Sequence, residues 1–246
     1  MINFLGIGAQ KAATTWIFEC LQMHPEVYFP GGKEIHFWDE YREKGTGWWL
    51  DIFRSASHHG RKQGEITPAY ALLDVDTIRQ VAAVAPELRL FYSIRNPIAR
   101  AWSHALMSFG YLGLEFDEVS DTWFIEHFTS DDSLHRSDYR SAINRWSEVF
   151  GIDMLHIIMF DDIVADPKQV LVGIARHLDI DPEFFHCLPD REALKPVFAG
   201  PGHAIRPGLL DFLRILYRPA IEDLAESMNR DFRHWLAWDG RGPRRG

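Results

Sequence analysis

Lys11 stands in a loop of small and polar residues, Ala9-Gln10-Lys11-Ala12-Ala13-Thr14-Thr15. Before it, Phe4-Leu5-Gly6-Ile7-Gly8 predicts a short strand; after it, Trp16-Ile17-Phe18-Glu19-Cys20-Leu21 predicts a helix. A strand, a tight loop and a helix N-terminus aim backbone N–H groups and the positive end of the helix dipole at one point, which suits a phosphate or a sulfate. A Walker loop places Gly-Lys directly before its Ser/Thr. Here two alanines separate Lys11 from Thr14. Lys11, Thr14 and Thr15 are therefore candidate anion ligands, with the lysine set differently from that of an NTPase. The bland alternative is a solvated lysine beside a threonine cap.

Three further groups of residues have chemistry to offer. Arg95 ends an apolar run, and Ser103 lies two turns into the helix that Asn96-Pro97 predicts. An arginine fork and a hydroxyl there suit a second phosphate; an arginine paired with a local carboxylate is the alternative. Glu34, His36 and Asp39 fall in the aromatic-rich segment Tyr28 to Phe53. They offer a general base and substrate contacts, and a glutamate among aromatics is expected to be desolvated and more basic than usual. Solvated loop charges are the competing reading. Leu155 to Asp162 has the look of a Walker-B strand ending in Asp161, with an acidic turn capping a short helix as the other possibility. His104, four residues after Arg100, reads as a surface or interhelix hydrogen bond.

The elements that must position these groups are legible as an alternation. Strands are expected at Phe4 to Gly8, Glu65 to Thr67, Leu88 to Ile94 and Met154 to Phe160, with helices between them. Asp76 is expected to cap a helix through Ile78 and Ala85, and Asp166-Pro167 another through Leu178. A helix from Pro207 is expected to end before a second start at Pro219. The class is α/β: one domain over residues 1–246, with a central parallel sheet flanked by helices and a P-loop-like first turn. Ligands in such a sheet sit at the carboxyl ends of the strands, where Lys11, Arg95 and Asp161 fall. The aromatic residues Phe29 to Trp49, with Trp102, Phe109 and Tyr111, suit either an acceptor pocket or core packing.

Composition narrows the classes. At 246 residues, 46% hydrophobic and 25% charged, the chain has the make-up of a soluble globular protein. Its net charge of -9 argues against a nucleic-acid partner, and no apolar run is long enough to span a bilayer. Cys20 and Cys187 give no disulfide framework, Cys20 reading as a small core residue. A first strand close to Met1 leaves no room for a signal peptide, so a cytoplasmic protein is expected. The basic tail Arg241 to Arg245 reads as a solvated end. No His/Cys cluster has zinc spacing.

Gly8 to Thr15, Glu34-Ile35-His36-Phe37-Trp38-Asp39, Thr67-Pro68-Ala69-Tyr70, and Arg95-Asn96-Pro97 through Ser103 occur in the order found in PAPS-dependent sulfotransferases. The chain most resembles the branch that includes heparan sulfate N- and 3-O-sulfotransferase domains, and the resemblance covers nearly its whole length. It implies that Lys11, Ala12, Ala13, Thr14, Thr15 and Trp16 surround the 5′-phosphosulfate of PAPS. It implies that Arg95 and Ser103 bind the 3′-phosphate, and that a late loop containing Gly202 and His203 covers the nucleotide. Glu34 takes the position of the catalytic base, and His36 and Asp39 those of acceptor contacts. The chain departs from the pattern at Ala13, where a glycine is usual, and at Ile66, where the heparan enzymes commonly carry a lysine. The late loop lacks the usual Lys/Arg-rich core, leaving Lys195, His203 and Arg206 as substitutes, and the cysteine pair flanking that loop in secretory relatives is missing.

The expected activity is transfer of a sulfuryl group from PAPS, leaving PAP, to a hydroxyl of a small-molecule, carbohydrate or natural-product acceptor. Glu34 is the expected base, His36 the fallback, and Lys11 the charge that offsets the leaving phosphate; no metal is required. Two rivals stand beside it: a P-loop nucleotide kinase-like phosphotransferase using Lys11 and Asp161 with magnesium, and a nucleotide-binding protein without catalysis.

Overall fold

A computed structural model describes residues 1–54, 60–189 and 203–241. The remainder, which includes Lys195, Gly202 and most of the basic tail, lies outside the described residues. The chain clusters into two compact units, Met1–Ile94 with Ala142–Val197, and Arg95–Ser141 with Phe198–Gly246.

The first unit carries a five-stranded sheet in the order β2-β3-β1-β4-β5, parallel at every pairing. The strands are β1 (Phe4–Gly8), β2 (Val27–Tyr28), β3 (Lys62–Ile66), β4 (Arg89–Ile94) and β5 (Leu155–Met159). Phe4 pairs with Gly64 on one side and Arg89 on the other, so β1 is central and all five of its residues are buried. A strand enclosed in this way reads as an unbroken apolar run, and β1 and β4 were legible for that reason. β3 is longer than expected and stops before Thr67. Its Gln63 and Gly64 hid it, and Gly64 is needed because a Cβ there would lie 2.3 Å from the Phe4 ring. The two-residue β2 is too short to show a period.

Helix α1 (Thr14–Gln22) follows β1 and buries Ile17, Cys20 and Leu21 against Leu171, Ile174 and Leu178 of the helix Pro167–Leu178. That second helix starts as expected, with Asp166 accepting from Gln169 N–H. Helix α2 (Gly45–Arg54) lies largely inside the aromatic-rich segment, for which no helix was expected because Gly45 and Gly47 lower helix propensity. Packing overrides that weakness, because Trp49 and Phe53 are buried. Helix α3 (Val75–Val84) is capped by Asp74, which accepts from Thr77 N–H at 2.7 Å, and not by Asp76. Asp76 instead sits in the first turn, where a carboxylate also favours the dipole.

The second unit begins with Arg95 and helix α4 (Pro97–Tyr111), capped as expected by Asn96. Its core gathers Trp102, Phe109, Phe116 and Phe124. His104 is buried and meets His127 of the helix Asp121–Thr129 across 3.2 Å, the interhelix bond that sequence allowed. The helix expected to end before Pro219 runs unbroken from Pro207 to Met228. A proline inside a helix loses one hydrogen bond and costs about 3 kcal/mol; Leu213, Tyr217, Ile221 and Leu224, all buried, hold the helix through it. No helix among the described residues is long and apolar enough to cross a membrane.

Candidate active site

The first loop is shaped from both ends by one residue. Ala9 N–H donates to the carbonyl of Ser93 at 2.7 Å, and Ser93 Oγ donates to the carbonyl of Ala12 at 2.6 Å. Ser93 is a fully buried polar residue in β4. Gly8 turns into the loop at φ 146°, where a Cβ would come within 2.9 Å of the Pro68 carbonyl oxygen. Lys11 and Ala13 both take left-handed backbone, φ 68° and 66°. Such conformations cost about 1–3 kcal/mol each outside glycine and persist where the surroundings over-determine them, commonly at functional sites. Ala13 is the N-cap of α1 and offers no side-chain acceptor, and no acidic residue stands in the first turn. The positive end of the helix is thus left for an external anion. Ser93→Ala is expected to cost about 1–3 kcal/mol by leaving the buried Ala12 carbonyl without its donor. Thermal melting with and without PAP would show the loss, and an unchanged melting temperature would remove Ser93 from this role.

The turn carrying Glu34, His36 and Asp39 is held by its backbone. Glu34 N–H donates to the Ile66 carbonyl at 3.0 Å. Ile35 N–H bonds to the carboxyl of Glu65. Phe37 N–H donates to Tyr70 OH at 3.1 Å, with Trp38 N–H at 3.4 Å. Tyr70 OH in turn donates to Glu65, which also accepts from Trp49 Nε1 at 2.7 Å and Thr67 Oγ1 at 2.9 Å. Burial pushes the Glu65 carboxyl up to about 7, against the pull of these donors. With so many anchors, Glu34 (φ 65°) and His36 (φ 57°) can hold left-handed backbone.

The side chains of that turn converge. His36 Nδ1 lies 2.8 Å from Asp39 Oδ2, and its Nε2 lies 3.5 Å from Glu34 Oε2. With Nδ1–H given to Asp39, Nε2 faces Glu34, and two groups able to take a proton stand side by side. Glu34 is also paired with Lys33. The Lys33 amine is only 15% exposed and is pushed down to about 8, by burial first and then by the charge of Lys11. Ligand-type atoms of His36, Asp39 and Glu40 fall within 4.8 Å of one another, the one such grouping among the described residues. Two of the three side chains are exposed, and the His36–Asp39 bond accounts for the approach.

In the second unit, Arg95 is half-buried at the entry to α4 and Ser103 is half-buried on that helix. Neighbouring Trp102 donates from Nε1 to the His203 carbonyl at 3.0 Å, and the His203 ring stacks on Phe116 at 4.2 Å. His203 is thus held against α4 through Trp102, the residue before Ser103. Arg206 is spent on structure: it pairs with Asp121 and donates to the carbonyls of Phe116 and Val119.

The sequence pattern described as "Sulfotransferase family" matches residues 36–184. The chain belongs to the sulfotransferase family. This sulfotransferase is 23% identical over 255 residues to human heparan sulfate glucosamine 3-O-sulfotransferase 6, covering 92% of this chain and 71% of that one. It is 26% identical over 201 residues to the bifunctional heparan sulfate N-deacetylase/N-sulfotransferase 1 of Caenorhabditis briggsae, of which it spans 23%. Among solved structures, a sulfotransferase from Alicyclobacillus acidocaldarius superposes with a TM-score of 0.72 at 21% identity, over 96% of this chain and 98% of that one. The P-loop-like α/β fold is therefore shared with it.

Several expectations need correction for this sulfotransferase. Glu34 is 40% exposed and paired with Lys33 and His36, so the desolvated setting expected for it is absent; the desolvated carboxyl is Glu65. Most of the aromatics from Phe29 to Trp49 pack on one another as core: Phe37 and Trp49 stack at 6.0 Å, and Trp38 meets Trp49 at 5.3 Å. Trp102 and Phe109 are core as well, and Tyr111 is 83% exposed. Ile66 is fully buried in the core cluster. Asp161 and Asp162 occupy the first turn of the short helix Phe160–Ala165, the helix-end arrangement that competed with the Walker-B reading. Glu65, Tyr70, Ser93 and Lys33 were missed as site residues. A polar residue inside an apolar run was the available signal for Ser93; Glu65, in the largely polar β3, gave none.

Proposed function

We propose that this sulfotransferase moves the sulfuryl group of PAPS to an acceptor hydroxyl, with Glu34 as general base and His36 in reserve. The observation that carries the reading lies within the first unit. Lys33, whose amine feels the charge of Lys11 on the first loop, pairs with Glu34 of the Glu34–His36–Asp39 group, which links the loop before the uncapped α1 to a proton acceptor. The acceptor oxygen forms a bond to sulfur as the bond from sulfur to the 5′-phosphate oxygen breaks. The acceptor proton passes to Glu34, and the charge arriving on the phosphate is offset by Lys11 and by the N–H groups of the loop. Ala12 to Trp16 complete the lining of that loop. By resemblance, Arg95 and Ser103 take the 3′-phosphate, and the late loop with Gly202 and His203 closes over the nucleotide. PAPS supplies the transferable sulfuryl group when bound.

For the acceptor, the names of the relatives favour a carbohydrate hydroxyl, with His36 and Asp39 as its contacts. Cys20 and Cys187 form no disulfide, which accords with a reducing compartment and the cytoplasmic setting we propose.

Calorimetry tests the nucleotide site directly. PAP is expected to bind in EDTA, and Lys11→Ala is expected to weaken it about tenfold or more, the worth of one charge-assisted hydrogen bond. Uptake of PAP that requires magnesium, or ATP hydrolysis that EDTA abolishes, would favour a phosphotransferase instead.

A further inference from the structure

The geometry points to Tyr41, Lys44 and Trp48 as a subsite for an anionic group, a carboxylate or a sulfate, carried by the acceptor sugar chain beside the hydroxyl that reacts. This rests on the sulfuryl-transfer reading above and names a feature of its acceptor. Six aromatic residues lie from Phe37 to Phe53. Phe37, Trp38, Trp49 and Phe53 are buried in the core, whereas Tyr41 and Trp48 keep 39% and 37% of their surface in water. Those two rings share one lysine. Lys44 Nζ lies 4.2 Å from the centre of the Tyr41 ring and 4.3 Å from that of Trp48. An ammonium is attracted to ring faces at such distances, so the two rings hold an exposed, flexible side chain in one place.

The charge held there stays open to a ligand. Glu40 stands four residues before Lys44, a spacing at which opposite charges commonly meet on a helix. It faces His36 Nδ1 instead, at 3.6 Å. Among the described residues Lys44 forms no ion pair, and Glu43 beside it forms none either. Arg42, on the same turn, donates to the uncharged Thr77 Oγ1 at 3.0 Å and Gln80 Oε1 at 2.8 Å. The backbone sets where this turn lies. Glu40 N–H and Tyr41 N–H both donate to the His36 carbonyl at 3.0 Å, and the Trp48 ring meets that of Phe37 at 6.0 Å. The turn is thus built onto the residue that faces Glu34 and contacts the acceptor in the proposed reaction. Arg42 ties it to α3, and Trp49, next to Trp48, ties α2 to Glu65 at 2.7 Å. Held in this frame, Lys44 loses little further freedom on meeting a ligand, which favours binding. A sugar next to the reacting one would set its C–H edge against the exposed parts of the rings and its carboxylate or sulfate on the amine.

Matched sugar chains isolate the charge. Three oligosaccharides of equal length would be titrated by calorimetry into PAP-loaded protein: alternating glucuronate and N-acetylglucosamine, the same chain with its carboxyls reduced to alcohols, and the reduced chain with N-sulfate in place of N-acetyl. At least one anionic chain should bind about fivefold or more tighter than the neutral one, and which of them does so distinguishes a carboxylate from a sulfate. Lys44→Gln should remove that preference and Lys44→Arg should keep it, with PAP affinity in both within about twofold of wild type. Anionic chains bound no tighter than the neutral one, a preference that survives Lys44→Gln, or uptake of PAP without uptake of any chain would overturn the subsite while leaving the nucleotide site standing. Wild-type protein that does not take up PAP would overturn the sulfuryl-transfer reading and the subsite with it.

Discussion

Glu34→Gln is expected to lower sulfuryl transfer by about 10²–10⁴-fold, the usual worth of a positioned general base, while PAP affinity stays near that of wild type. The amide keeps the size of the carboxylate and the left-handed backbone that the fold imposes at φ 65°. It cannot accept the acceptor proton. The backbone anchors to Ile66, Glu65 and Tyr70 do not involve the Glu34 side chain, so the turn should keep its shape. Losing the pair with Lys33 should change stability little, because the Glu34 side chain is 40% exposed and screened. Single-turnover rates with PAPS and a panel of carbohydrate and phenolic acceptors provide the measurement. If turnover persists unchanged, His36 is the base, since its Nε2 already faces the same space. Simultaneous loss of rate and PAP affinity would mean instead that Glu34 shapes the anion loop.

What could be read from sequence was whatever carried its own signal. Lys11 stood out because small residues between an apolar run and a helix leave few other purposes for the loop. Glu34, His36 and Asp39 stood out by chemical type, and the structure does bring them together. The apparatus that holds them did not stand out. Ser93 is one small polar residue in the apolar run of β4, which periodicity treats as noise, and Glu65 lies in β3 beside Lys62, Gln63 and Gly64, where polar company masks a buried carboxyl. Tyr70 serves the turn through a hydroxyl 32 and 33 residues away from its donors, a distance no local pattern spans. The aromatics misled for a related reason. Composition cannot tell a ring that lines a pocket from one that fills a core, and α2 puts Trp49 and Phe53 inside. The fold class was legible because parallel strands buried on both faces are apolar throughout. The continuous helix through Pro219 was not, because packing outweighed a local rule.

Glu65 carries the second large effect, one that reaches the turn bearing Glu34 through stability. Its carboxyl is raised from the ordinary 4.5 to about 7 in the folded protein, with burial as the dominant cause. The sign follows directly. Between those values the native protein holds a proton that the unfolded chain has released, so stability falls as pH rises from about 4.5 to 7 and levels off above. A displacement of this size corresponds to about 3 kcal/mol of linked stability. Glu65→Gln should abolish that slope. The amide oxygen can still accept from Trp49 and Tyr70 and must be shared with the Ile35 N–H, and the Thr67 hydroxyl can turn to accept from the amide nitrogen. The variant should therefore gain on wild type between about pH 5 and 7 and keep that gain above, several degrees of melting temperature at pH 8. Glu65→Leu should behave in the opposite way, because it leaves Trp49 Nε1, Tyr70 OH and Thr67 Oγ1 buried without their acceptor, at about 1–3 kcal/mol each. It should also quicken amide exchange at Ile35, Phe37 and Trp38, the residues whose N–H groups depend on Glu65 or on the Tyr70 hydroxyl it holds. Melting curves of wild type and Glu65→Gln that run parallel from pH 4.5 to 8 would show that Glu65 does not change its charge on folding. Exchange in Glu65→Leu confined to the sheet would show that the turn bearing Glu34 stands without it.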